Sequence, residues 1–291
     1  MEHTIIIENE DILGGSVTDV EPFYTQVAQA PPARQYSLDM TAVSFVRSYG
    51  AMALINAARQ LWQRSGAPLL LTNLRSEIHS YLHFIRLFEL GGDFMQVASG
   101  APQPWQPQSS SPDHLPLTYI TGSADVEAVV ERGRAIYRYW LQVPNYSNLM
   151  SVISELGANI YQHSGDVRGG VLMQKIQSGS RDRVEVRLAV SDLGQGIRRS
   201  LSARHKDIGP EPLDYLRAAI EGKSARASGR GGMGLRTVDR FVRTVGGYWW
   251  LRSETAAIFR EGAGQVQEYT NLVHMPGTQV AVELHAPRPK D

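Results

Sequence analysis

The chain has 291 residues, 29 Lys and Arg against 29 Asp and Glu, and no cysteine. Its length allows two ordinary domains. Balanced charge gives no bulk reason to expect a nucleic acid or an acidic membrane as partner. The missing cysteines exclude disulfides, thiolate nucleophiles and cysteine metal sites. There is no apolar run of the ~18 residues a membrane span needs, and the N-terminus lacks the basic flank and cleavage site of a signal peptide. A cytoplasmic protein is expected.

Taken in chain order, TIIIE (4–8) and YSLDMTAVSF (36–45) read as strands, the second with Asp39 at its end. YGAMALINAARQLWQRSG (49–66) reads as a helix with Met52, Ile55, Leu61 and Trp62 near one face and Gly66 as its stop. APLLLTN (67–73) is a buried type of strand. SEIHSYLHFIRLFELGG (76–92) is a second helix, with Ser76 as N-cap and Gly91 as C-cap. Strand and helix alternate, which predicts a small α/β layer. His79 and His83 have metal-ligand spacing, but no third ligand accompanies them, so a surface helix is expected there.

Residues 98–116, rich in Pro, Ser and Gln, read as a linker between a domain over 1–97 and one over 117–291. Beyond it come strand LPLTYI (115–120) and two helices, 123–143 and 146–164. Strands 170–177 and 183–192 follow, then a long polar, Gly-rich region over 193–233. Helix 233–246 leads into strand-like runs at 247–253, 265–273 and 278–286. Antiparallel strands with a few helices predict an α+β sandwich. Trp249 and Trp250 are expected to pack that sheet.

Three constellations in this half carry chemistry. Glu155, Asn159 and His163 recur at helical spacing, close to one face. A carboxamide oxygen suits Mg²⁺ bound with phosphates, and a carboxylate one turn away suits a base for water or a hydroxyl. Taken alone, the pattern also fits a solvated helix face. Asp192-x-Gly194-x-Gly196 sits at a strand end, where a carboxylate can accept from an exocyclic amine and glycines let the backbone approach a flat ligand; a plain Asp-Gly turn has the same sequence. Gly229-Arg230-Gly231-Gly232-Met233-Gly234-Leu235 opens a helix, where backbone N–H groups make a phosphate site. Gly229, Gly231 and Gly234 also have dinucleotide-site spacing, but no strand directly precedes them. Gly222-Lys223-Ser224 lacks the glycine of a P-loop, having Arg217 in its place.

The order of these elements, closed by Pro276-Gly277-Thr278-Gln279-Val280, resembles the N, G1 and G2 boxes of the GHKL family (gyrase, Hsp90, histidine kinases and MutL) over roughly 117–287. The resemblance implies a Bergerat α/β sandwich that binds ATP and Mg²⁺. It makes Asn159 the Mg²⁺ ligand, Glu155 the general base and Asp192 the adenine-reading aspartate, with Gly194 and Gly196 as pocket glycines. It puts Gly231, Gly232 and Gly234 in the phosphate loop with Met233 and Leu235, Thr278 near the adenine, and a lid over 197–230 whose Lys223, Arg226 and Arg230 meet phosphates. The loop reads G-R-G-G-M-G rather than the family's G-x-G-L-G.

Residues 36–90 resemble a STAS domain, the fold of anti-sigma-factor antagonists, through SLDMTAVSFVRSYGAMALINAARQL and the strand PLLLTN. Ser48 falls where that family carries its regulatory phosphoserine, although Arg47 and Tyr49 replace the expected neighbours; Ser48 is equally placed to cap the helix. Together the resemblances imply an anti-sigma-like serine/threonine kinase or ATP-driven switch. The alternatives are a slow ATPase or clamp, and a nucleotide sensor acting through its STAS-like domain. The implied partners are ATP, a protein docked on that domain and a second copy of the chain.

Overall fold

The structure, a computed structural model, describes residues 1–7, 16–104, 114–138, 141, 145–177, 183–223 and 233–287. The chain divides into two compact units, Met1–Ser111 and Pro112–Asp291.

The first unit runs β1 (Glu2–Ile6), α1 (Val17–Gln29), β2 (Gln35–Asp39), α2 (Ser48–Ser65), β3 (Leu69–Thr72), α3 (Ser76–Phe84), α4 (Leu87–Gly91) and β4 (Met95–Val97). All four strands are parallel and lie in chain order. Parallel neighbours need crossovers, and helices supply each one. Tyr36, Leu38, Leu69 and Leu71 alternate inward along β2 and β3 and are buried, while Ser37, Leu70 and Thr72 between them stay half-exposed.

Several expectations are corrected here. The strand expected over 36–45 stops at Asp39, because its Oδ1 accepts the Thr41 N–H at 2.9 Å and the Thr41 hydroxyl at 2.6 Å, folding the chain into a turn. The single helix expected over 76–92 breaks at Arg86, which adopts φ 64°. Arg75, not Ser76, is the N-cap of α3, and the C-cap of α4 is Gly92 rather than Gly91. In α2, Met52, Ile55 and Leu61 are buried as expected, but Trp62 is 37% exposed. Gly66 closes α2 in the left-handed conformation, its N–H donating to Trp62 O at 2.7 Å. His79 is not on a solvated face: it is buried, with Nδ1 2.6 Å from Pro102 O. Helix α1 and strand β4 were not among the expected elements. Ser16 N–H donates to Asp19 Oδ2 at the start of α1, and Val17, Val20, Tyr24 and Val27 form its buried stripe.

The second unit runs β5 (His114–Tyr119), α5 (Ser123–Tyr137), α6 (Asn145–Asn159), a π-helical turn (Ile160–Ser164), β6 (Gly170–Gln177) and β7 (Arg183–Ser191). It continues through α7 (Gly196–Ser202), α8 (Pro212–Glu221), α9 (Met233–Val245), β8 (Gly247–Glu254), β9 (Ala256–Glu261), β10 (Gln267–Tyr269) and β11 (Met275–Pro287). The strands make one antiparallel sheet, ordered β10-β9-β8-β11-β7-β6-β5. One core joins Val186, Leu188 and Val190 of β7, Val280, Val282 and Leu284 of β11, and Trp249 and Leu251 of β8 with Val152, Ile153 and Leu156 of α6 and Val238, Phe241 and Val242 of α9. The helix residues recur at i, i+3 and i+4, so each helix turns one apolar stripe onto the sheet. The result is the α/β sandwich expected for this half.

The long polar, Gly-rich region over 193–233 contains two helices among its described residues, α7 and α8. Pro212 sits at the first turn of α8, the Glu211 N–H donates to Asp214 Oδ2 at 3.2 Å, and Gly222 ends the helix at φ 100°. Leu213, Tyr215, Leu216 and Ala219 of α8 bury into the core. The strand expected over 265–273 shrinks to Gln267–Tyr269, and Ala256–Glu261 forms an unanticipated strand beside it. The expected linker gives up its last residues to β5, which starts at His114.

Candidate functional site

Strand β7 delivers Asp192 one residue past its end, with 5% of its surface exposed. Its N–H donates to Thr278 O at 3.0 Å, which ties β7 to β11 at this point. Its Oδ1 accepts the Gly194 N–H at 2.8 Å and so fixes the carboxyl's rotation. The two neighbouring glycines are demanded by the protein's own backbone. A Cβ on Gly194 would lie 2.0 Å from Ser164 O, and one on Gly277, at φ 78°, would lie 2.0 Å from Asp192 O. Neither position has room for a side chain. The glycine of the D-x-G motif therefore serves close packing of two loops, rather than the approach of a flat ligand that sequence alone suggests.

Two positioning residues escaped the sequence reading. Asp166 Oδ2 accepts the Leu193 N–H at 2.7 Å, and its Oδ1 accepts the Arg168 N–H at 2.9 Å. Ser253 Oγ donates to Gly277 O at 2.7 Å and accepts the Ile197 N–H at 3.1 Å. The run Ser164-Gly165-Asp166 is a turn signal that points to the first. Nothing local marks the second, because Ser253 lies 24 residues before Gly277.

At the other end stands α6. Its α-hydrogen bonding stops at Asn159 and a π-helical turn takes over, ending at Gly165 with φ 73°. The wider turn carries the Ser164 carbonyl to Gln195 N–H at 2.8 Å, against Gly194. Glu155 and Asn159 lie one α-helical turn apart ahead of the π-turn, and His163 lies within it. Asn159 and His163 line a pocket with Asp192, Gly196, Lys223, Gly234, Leu235 and Thr278, whose apolar walls include Leu156, Ile160, Val190, Ile197 and Val280. Glu155, one turn earlier, lines a separate groove on α5 and α6. Gly234 reaches this end closely enough that a Cβ on it would lie 2.9 Å from Glu155 Cβ and 3.8 Å from Asn159 Nδ2.

The pocket encloses about 110 Å³, below the ~300 Å³ of a site that swallows a drug-sized ligand. A base-sized group fits the enclosed part. Lys223 lines it while its Nζ donates to Asp207 Oδ2 at 2.6 Å, and this bond holds the Asp207 carboxyl below its usual range. Of the residues singled out by sequence, Arg226, Arg230, Gly231 and Gly232 lie outside the described residues. Met233 begins α9, but its side chain also lies outside them.

The chemistry of the lining fits a purine nucleotide. It offers a buried carboxylate, apolar walls, a carboxamide and an ammonium group. Among the described residues, no three His, Cys, Asp or Glu side chains gather to hold a metal, His79 and His83 included. The carboxamide oxygen of Asn159 would be the residue to hold a Mg²⁺ ion here, and the ion would lower the cost of charge building on bound phosphates. No described helix is long and apolar enough to cross a membrane.

No curated protein matches the chain. Residues 145–288 match the family described as Histidine kinase-, DNA gyrase B-, and HSP90-like ATPase. That span runs from the first residue of α6 through β11 and takes in Asn159, Asp192, Gly234 and Thr278. From α6 to β11, therefore, the chain carries an ATP-binding domain of the histidine kinase-, gyrase B- and HSP90-like ATPase family.

Proposed function

We propose that the protein is a Mg-ATP-dependent regulator that phosphorylates a serine or threonine of a partner protein, in the manner of anti-sigma kinases. The observation that carries the reading is the convergence of a buried Asp192 with Asn159, Lys223 and Gly234 on one pocket, with Glu155 one helical turn away. In this reading Asp192 accepts a hydrogen bond from the adenine amino group, Asn159 holds the Mg²⁺, and Lys223 meets the phosphates. Glu155 takes the proton of the attacking hydroxyl.

The first unit is the docking module of this reading, a STAS-like layer in which β2, α2, β3 and α3 follow one another as that resemblance implies. Its own serine is a poor acceptor. Ser48 is 2% exposed and forms the first residue of α2 behind the N-cap Arg47. The acceptor therefore comes from another molecule. The absence of cysteine suits a cytoplasmic setting.

Calorimetric titration of Mg-ATP into wild type and Asp192→Asn, followed by assays of phosphate release and protein phosphorylation, tests the reading. Wild type should bind, and the variant should bind at least about tenfold more weakly, ~1.4 kcal/mol. Label on a serine supports the kinase. Free phosphate without label makes the protein a slow ATPase, and binding with neither product makes it a nucleotide sensor. No binding by wild type removes the proposal altogether.

A further inference from the structure

The groove that Glu155 lines lies outside the nucleotide pocket. It encloses about 550 Å³ between α5 and α6 and is lined by Val130 and Arg134 of the first helix and by Tyr146, Ser147, Met150, Ser151, Ser154 and Glu155 of the second. The α6 residues advance in alternating steps of one and three, so the groove follows the helix toward its C-terminal end. Glu155 is the last of them, and Asn159, on the next turn, already belongs to the pocket. Two cavities thus meet end to end at one helical turn, with Gly234 against both Glu155 and Asn159 at the junction. A site that only hydrolysed ATP would need room for a water at this junction, not a cavity of such size.

The lining says what the groove accepts. It is mixed, with three serines, a tyrosine and a methionine, and among the described residues Arg134 is its one cation. Arg134 Nη1 donates to Glu131 Oε1 at 2.9 Å, but both side chains are more than half exposed, so this pair is weak and a second carboxylate can share the guanidinium. The charges along the groove are therefore an arginine on one wall and the Glu155 carboxylate at the end.

Resting on the kinase reading above, we infer that this groove seats the phosphate acceptor: an extended segment of a partner protein that carries a serine or threonine and, near it, an acidic residue for Arg134. The acceptor hydroxyl reaches Glu155 at the junction. Its oxygen forms the new bond to the γ-phosphorus of ATP as the bond from that phosphorus to the β,γ-bridging oxygen breaks. The hydroxyl proton passes to the Glu155 carboxylate, and ADP leaves.

The test uses the full chain, Mg²⁺, radiolabelled ATP and a positional library of peptides with one serine each, on wild type, Arg134→Glu and Ser151→Trp. Wild type should label peptides with Asp or Glu near the serine in preference to those with Lys or Arg. R134E should reverse that preference, and S151W, which fills the groove from an exposed helix position, should lower all labelling at least about tenfold. Calorimetry on the same samples should give both variants an ATP affinity within roughly twofold of wild type. If S151W loses ATP binding through misfolding, R134E decides alone. Labelling that is the same in R134E as in wild type overturns the groove as acceptor site. A wild type that hydrolyses ATP and labels no peptide overturns the acceptor and the kinase together, leaving the nucleotide pocket intact; one that binds no ATP fails at the earlier reading.

Discussion

The two ends of the nucleotide pocket are built on different principles. At the Asp192 end, the ties fix the backbone itself: Thr278 O on Asp192 N–H, the Asp166 carboxylate on Leu193 N–H, the Ser253 hydroxyl on Gly277 O, and two glycines packed against carbonyls at distances that exclude a Cβ. At the Lys223 end the backbone N–H donates to Ala218 O at 2.9 Å, but the ammonium is tied by an ion pair between side chains that are 33% and 70% exposed. The first end is rigid before any ligand arrives, so its specificity comes from preorganisation. The second can exchange partners at little cost, as the proposed role of Lys223 at the phosphates requires.

Substitutions at the two ends should therefore fail in different ways. The largest effect is expected from Gly277→Ala, which adds a Cβ 2.0 Å from Asp192 O at φ 78°. It should cost about 3 kcal/mol of stability and abolish ATP binding, read by urea unfolding and calorimetry. An unchanged unfolding midpoint would show that the rigid end gives way after all.

An intermediate effect is expected on β11 itself, which carries Thr278 to the pocket. Burial pushes the Glu283 carboxyl up. Arg187 Nε at 2.6 Å, His285 at 3.0 Å and the Tyr248 hydroxyl at 2.8 Å outweigh it and hold the group below its ordinary 4.5. A carboxyl depressed in the folded state stabilises above its unfolded value, and that contribution is lost as the pH falls through the folded value. Glu283→Gln should cost about 2 kcal/mol at neutral pH. It should also flatten the fall in stability below pH 4.5. Equal acid slopes for the two proteins would remove Glu283 from the account.

The smallest effect is expected from Asp207→Asn, which releases Lys223. ATP should bind about twofold more tightly, and adenosine equally well, since an exposed pair is worth little. A gain for adenosine as large as that for ATP would mean that the pair shapes the base end instead.

Much of the second unit was legible in the sequence because its signals are periodic or are glycines with a single use. The stripe Val152, Ile153, Leu156 marks the buried face of α6, and Asp192 at the end of an apolar run was positioned by its strand. What stayed hidden depended on partners far along the chain. Gly194 looked like a ligand glycine, because the Ser164 carbonyl that crowds it arrives only through a π-turn that no local pattern announces. Helices α7 and α8 were hidden by the polar composition of 193–233, although Pro212 and Gly222 marked the ends of α8. In the first unit, Asp39 ended a strand that propensity would have continued, by folding Thr41 back onto itself.

Strand β11 follows every other strand of its sheet in sequence and yet sits between β7 and β8. Before it is laid down, β5-β6-β7 and β8-β9-β10 are two separate antiparallel ribbons with no ladder between them. Pairings such as Val184 with Ala286 close loops of great length, which makes assembly of this unit slow and concerted. Asp192 hangs from one ribbon and is joined to Thr278 only by that last strand. On the ribosome, then, the nucleotide pocket comes into being in a single late event, after nearly the whole domain has been synthesised.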